Sequence, residues 1–313
     1  MTARFYSNAG NTEEVAALRL EIKKLLKENE VVQIYLLQPG IMYQKGTEWL
    51  TVVDFMNEFA HEPVHWFSNL VPIKKVQNTF SYTNDMFFMG NRLYKTNNRC
   101  ASLLKKLAGP ELKKDLSWDL LLGERSDNKD LLHDMIKDHT VKSKTFLTYY
   151  GKDTSKGHWG PDVERPIEHT AESIGGPDTR WEGNQLRCSD LIDPTIYNQT
   201  YYTAAIETVI HEDFAMFSEK EAKPIVAKRP FVLFGSPGHM KAFRKLGYKS
   251  FGDVIDESYD EILDKEERWH KVLDAMDELC NQDPLEVYKT LKPVLEHNKK
   301  HFQEKSWKRG MRL

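Results

Sequence analysis

Arg229-Pro230-Phe231-Val232-Leu233-Phe234-Gly235-Ser236-Pro237-Gly238 is the stretch that decides the fold. Four consecutive apolar residues open on a proline and stop at a glycine-rich turn. That is the length and composition of a strand buried on both faces, as strands of parallel sheets are. Just upstream runs Phe217-Ser218-Glu219-Lys220-Glu221-Ala222-Lys223-Pro224-Ile225. Ser218 is a helix N-cap by residue type, so a helix is expected over 219–228. Downstream, Pro237–Leu246 reads as another helix, closed by Gly247. Helices flanking a short apolar strand argue for an α/β protein.

Working outward, the same alternation fills the first half. Val15, Leu18, Ile22 and Leu25 recur at helical spacing, and Val31–Leu37 is a strand ended by Pro39-Gly40. Trp49, Val52, Val53, Met56 and Phe59 form a further helical stripe, followed by strands at Val64–Phe67, Trp118–Leu122 and Thr145–Tyr150. Helices are expected at Arg99–Leu107 and from Asp127 to Asp138. From Gly151 to Pro194 the chain carries six glycines and four prolines without periodicity, too long for a plain loop inside one compact domain. A boundary is therefore expected near 150. It gives an N-terminal lobe at 1–150, a C-terminal lobe at 151–290 and a basic helical tail at 291–313. In the second lobe Tyr201–His211 reads as a helix, and charged helices run from Ser258 nearly to the end.

Composition narrows the function. The 313 residues are 40% hydrophobic and 29% charged, with a net charge of −3, which excludes disorder as the main state and any global attraction to nucleic acid. No apolar run approaches the roughly 18 residues of a membrane span, and Met1–Gly10 lacks a signal-peptide core. Cys100, Cys188 and Cys280 are scattered, a reducing-compartment pattern, and a cytoplasmic location is expected. His61-Glu62-Pro63-Val64-His65 spells the zinc-protease pattern, but Pro63 bars the helix that would put both imidazoles on one face. There is no GxGxxG and no P-loop.

The capped segment is the chemical candidate. A carboxylate at the first helical turn, Glu219, can accept two hydrogen bonds from a vicinal diol, while free N–H groups and Lys220 meet a diphosphate. The competing reading is a plain capped helix before a buried strand. Asp256, Glu257 and Asp260 put three carboxylates in five residues, yet Ser258 and Glu261 have capping-box spacing, which favours a structural role. Tyr259 and Trp269 are expected as core or interface aromatics. From Asn298 onward six cations stand against Glu304, interleaved with Phe302 and Trp307. Lys305, Trp307, Lys308 and Arg309 could contact a phosphate backbone and stack on a base, or the helix could pack its aromatic face on the first lobe.

The segment Ser218-Glu219-Lys220 resembles the Ser/Thr-Glu-Lys stretch of GT-B nucleotide-sugar glycosyltransferases. More closely, the region is similar to glycosyltransferase-like proteins of tailed phages and bacteria. Pro230-Phe231-Val232 with its glycine turn, Ile255-Asp256-Glu257-Ser258-Tyr259-Asp260, Asp193-Pro194-Thr195-Ile196-Tyr197 and Trp118-Asp119-Leu120-Leu121-Leu122-Gly123-Glu124-Arg125 share that likeness. It covers residues 117–275. The resemblance implies two Rossmann-like lobes around a cleft and a transferase that needs no metal and no cofactor beyond the donor. Ser218, Glu219, Lys220, Lys223, Gly235, Ser236 and Gly238 would bind that donor, with Arg125 and Tyr197 beside it. The catalytic candidates are Glu48 and Glu207. The donor would be a UDP-hexose or UDP-pentose such as arabinose, and the acceptor 5-hydroxymethylated pyrimidine in double-stranded phage DNA. A glycan or lipopolysaccharide transferase and a non-catalytic nucleic-acid-binding protein are the alternatives.

Overall fold

The computed structural model describes residues 2–7, 12–36, 42–45, 48–82, 87, 93–95, 98–122, 126–149, 180–181, 184–185, 191–305 and 311–312. The chain begins with β1 (Thr2–Ser7), α1 (Thr12–Glu28) and β2 (Val31–Leu36). Val15, Leu18 and Ile22 of α1 are buried, one stripe at helical spacing laid against the sheet. A hairpin follows, β3 (Met42–Lys45) with β4 (Glu48–Thr51), then the short α2 (Val52–Asn57). The apolar stripe that begins at Trp49 is therefore divided. Thr51 caps α2 in a reciprocal box with Asp54, which fixes the helix start and leaves Trp49 in a strand. Next come β5 (Val64–Ser68), β6 (Leu70–Pro72) and β7 (Thr79–Tyr82). β1, β2, β5 and β7 lie side by side in that order, all parallel.

After α3 (Asn98–Lys105) a second sheet begins with β8 (Leu116–Leu121), α4 (Asp127–Lys137) and β9 (Thr145–Thr148). The hairpin of β10 (Arg180–Trp181) and β11 (Asn184–Gln185) stands between them and α5 (Pro194–Tyr197). β12 (Thr200–Ile206), β13 (Phe214–Met216), α6 (Glu219–Ala227), β14 (Phe231–Phe234) and α7 (His239–Lys245) follow. The second sheet is parallel throughout, in the order β14-β12-β8-β9. Its four strands thus run outward from β8 in both directions, and the chain changes direction between β8 and β12. The C-terminus is helical, α8 (Lys265–Cys280) and α9 (Pro284–Glu304), before β15 (Met311–Arg312) returns to the first sheet, antiparallel to β7. The protein is mixed α/β with parallel sheets and a helical C-terminus. No helix among the described residues is long and apolar enough to cross a membrane.

Two expectations change. Residues 201–206, expected in a helix, form most of the strand β12. The strand is buried along nearly its whole length between two neighbours, so its sequence shows no alternation and its alanines carry no helical meaning. The sheets also divide the chain elsewhere than near 150. β8 and β9, from the expected first lobe, hydrogen-bond into the sheet of β12 and β14, so the crossing lies between Tyr82 and Leu116.

β6 and β13 form a two-stranded antiparallel sheet of their own, separate from the two larger ones, and the backbone N–H of Ile73 donates to the Asp213 carbonyl at 2.8 Å. Lys74 forms an ion pair with the fully buried Asp213, and the Tyr82 hydroxyl donates to the Phe217 carbonyl at 3.2 Å. Phe302 of α9 packs on Phe87, ring centroids 5.2 Å apart. Trp269 and Tyr259 are core residues, as expected. Under the second sheet Arg229 is buried and spent internally. It donates to Asp119 at 2.8 Å, to the Thr200 and Thr203 hydroxyls and to the Tyr197, Thr200 and Tyr202 carbonyls. Burial raises the Asp119 carboxyl above its ordinary range, against the pull of Arg229 and the two threonines.

Candidate functional site

The carboxyl ends of β12 and β14 and the N-terminus of α6 converge on one buried polar cluster. Glu207 follows β12 directly, beside the place where the strand order reverses, which is where open α/β sheets bind ligands. Its backbone N–H donates to the Phe234 carbonyl at the end of β14. Ser218 caps α6 and is itself 3% exposed. Its hydroxyl donates to Glu207 Oε1 at 2.7 Å and accepts from the Lys220 backbone N–H at 3.3 Å, while its own N–H donates to Glu221 Oε2 at 3.0 Å. Lys220 Nζ donates to the Ser218 hydroxyl at 3.2 Å and stands 3.7 Å from Glu207 and 3.5 Å from Glu219. Ser218-Glu219-Lys220-Glu221 is therefore a capping box whose Ser and Lys both reach to Glu207.

The electrostatics follow from this packing. Glu221 is fully buried, and burial together with the Glu207 carboxyl beside it raises its pKa well above the ordinary glutamate value. A second carboxyl beside a buried one makes the ionised form of Glu221 costly, so Glu221 holds its proton above the ordinary glutamate range. Burial opposes the charge of Lys220, but Glu207, Glu219 and Glu221 outweigh it and raise its pKa, so the ammonium is firmly cationic. His239 on α7 sits 3.6 Å from Glu221 and is pushed down to about 3 by burial and by Arg268. It is a neutral imidazole at neutral pH. The unit has a buried pair of carboxyls, a cation and a helix N-terminus, with Glu219 and Lys220 its partly exposed members.

The glycine turn is used internally. A Cβ on Gly235 would lie 2.5 Å from His239 Nδ1, and one on Gly238 would lie 3.0 Å from Ile73. Gly238 also holds φ +72°, which only glycine adopts without strain, and it opens α7. The Ser236 hydroxyl accepts from the His211 N–H at 2.9 Å, and the Gly235 carbonyl accepts from Arg268 at 3.1 Å. Asp260 has a structural task. Its carboxylate accepts from the Met240 and Lys241 N–H groups at 2.8 and 2.9 Å, capping α7 rather than its own short helix. Among the described residues no group of His, Cys, Asp or Glu is placed to hold a metal ion. His65 of the zinc-like pattern lies on β5 beside Ser81, and the chain turns over 61–63.

The structure thus gathers Glu207, Ser218, Glu219, Lys220, Gly235, Ser236 and Gly238 at one end of the second sheet. Tyr197 lies at the other end, its ring under the Arg229 guanidinium at 4.1 Å. Lys223 is half-buried on α6 and helps hold down the Asp119 carboxyl. Glu48 opens β4, but its side chain falls outside the described residues, as do Arg125, Trp307, Lys308 and Arg309. Lys305 ends α9. Two members went unread in the sequence. Glu221 was signalled by the Ser-x-x-Glu spacing, whereas no local signal marks His239. Compared with known protein families, curated proteins and solved structures, the chain finds no match.

Proposed function

We propose that the protein is a glycosyltransferase that takes a sugar from a nucleotide-diphosphate donor, with the donor held at the carboxyl ends of the second sheet. The observation that supports this reading most is the placement of Glu219 and Lys220. Both sit in the first turn of α6, at the strand-order reversal, backed by the buried Glu207–Ser218–Glu221 unit. In this reading Glu219 accepts the ribose hydroxyls and Lys220 faces the diphosphate, assisted by the helix N-terminus. Glu207 is a positioning residue, since its carboxyl is spent on Ser218 and Lys220. As the sugar leaves, negative charge builds on the diphosphate, and a cation already fixed by Glu207 and Ser218 stabilises it without reorganising.

The two parallel sheets would then be two Rossmann-like lobes, the first facing the acceptor. The resemblance makes a UDP-hexose or UDP-pentose the expected donor and 5-hydroxymethylated pyrimidine in DNA the expected acceptor, with the basic segment 305–309 on the phosphate backbone. The test is nucleotide-diphosphate release from a panel of UDP- and GDP-sugars, with and without hydroxymethylcytosine-containing duplex DNA. Release that requires one donor and the modified DNA is the expected result. Donor hydrolysis that DNA does not stimulate would move the acceptor to a glycan. No release and no donor binding across the panel would overturn the proposal.

A further inference from the structure

At the opposite end of the second sheet, away from Glu207, a cleft of about 570 Å³ lies between the amino ends of the strands, the C-terminus of α6 and α9. Leu104, Leu107, Val226, Leu285 and Leu295 give it an apolar wall. Five lysines line it as well. Lys289, Lys292 and Lys299 project from one face of α9, Lys228 from the end of α6, and Lys114 from the base, with Glu296 the single acid among the lining residues. Lys289 pairs with Glu286 and Lys228 with Glu296, but among the described residues neither Lys292 nor Lys299 has an ion-pair partner. The volume is that of a small-molecule site.

Two features mark the cleft as built rather than incidental. Lys228 holds φ 55° and ψ 53°, the left-handed conformation that ends helices and that glycine ordinarily supplies. It is the one non-glycine in that region of backbone space among the described residues, a position where a lysine costs backbone strain. Lys114 is buried, with Nζ donating to the Tyr197 and Thr200 carbonyls at 2.8 and 3.0 Å. Burial and the neighbouring Arg229 pull it down to about 8. Burial and Lys228 lower Lys299 in the same way, against the pull of Glu296.

We propose that this cleft binds a small organic polyphosphate, with the phosphates among Lys228, Lys292 and Lys299 and the organic part against the leucine wall. Several close cations select a multiply charged anion, and an apolar wall beside them favours a ligand with an uncharged body. The site is separate from the proposed donor site, because it lies at the C-terminal end of α6, whereas Glu219 stands at the N-terminal end.

The test is calorimetric titration of the full chain at low salt with ATP and with inorganic tripolyphosphate. Saturable binding is expected, weakened at least about tenfold in the double variant K292E/K299E, since reversing two charges near the ligand changes four unit interactions. Glu219→Ala should leave it unchanged. Lys228→Gly supplies the residue that its backbone conformation favours, so it should melt no lower than the parent and still bind less tightly. Tighter binding of ATP than of tripolyphosphate would seat the organic part on the leucine wall; equal binding would make the inorganic chain the ligand. Absence of binding at millimolar probe, indifference to K292E/K299E, or loss through Glu219→Ala instead would overturn the proposal.

Discussion

Glu221 is the residue on which the candidate site's behaviour with pH turns. Its carboxyl accepts the Ser218 N–H and lies beside Glu207, fully buried. The folded protein holds its proton above the ordinary value of 4.5, whereas the unfolded chain releases it near that value. Below about pH 4.5 both states are protonated. Above it the folded state binds more protons than the unfolded state, so this group's contribution to stability is lost as pH rises, by at most about 1.4 kcal/mol per pH unit. Glutamine mimics the protonated form, accepting from Ser218 and donating to Glu207. The melting temperature of Glu221→Gln minus that of the parent should therefore grow between about pH 5 and pH 7. A constant difference across that range would mean that Glu221 is ionised in the folded protein. The capping role of Glu221 was written in Ser218-x-x-Glu221, but its pairing with Glu207 was not, because a carboxyl pair exists only once β12 and α6 are packed.

At the scale of elements, α6 concentrates the argument. It is nine residues long and carries Pro224 inside, so little of its stability is intrinsic. Ser218 supplies the cap and gives Glu207 its hydroxyl donor in the same stroke. Ser218→Ala removes both and should cost about 1–2 kcal/mol in urea unfolding, whereas Ser218→Thr, which keeps the hydroxyl, should recover most of it. Equal losses in the two variants would count against the hydroxyl. Strand β14 was legible because four apolar residues between proline and glycine have few other uses. β12 was not. Tyr201-Tyr202-Thr203-Ala204-Ala205-Ile206 has neither the alternation of a half-exposed strand nor branched residues throughout, and only its place between β8 and β14 makes it a strand. The role of Arg229 could not be read locally either, since its partners Asp119 and Thr200 are distant in the chain.

For the whole molecule, the two halves of the chain meet in a small sheet of their own. β6 pairs there with β13, and Asp213, fully buried, meets Lys74 beside it. Lys74→Met would leave that carboxylate without its cation and should destabilise the protein by about 1–3 kcal/mol in urea unfolding. An unchanged midpoint would mean that Asp213 is satisfied without Lys74. The α/β class could be read from alternating apolar runs. The division between sheets could not, because the glycine- and proline-rich stretch at 151–194 marks a change in composition, while the crossing from one sheet to the other falls earlier, after Tyr82. The measurement that bears most directly on the proposed function is equilibrium binding of UDP-sugars to the parent chain, Glu219→Ala and Lys220→Met. Binding by the parent that both variants weaken at least about tenfold, with melting temperatures close to the parent's, is the predicted result. Donor binding indifferent to both substitutions would contradict a nucleotide-sugar site at the N-terminus of α6.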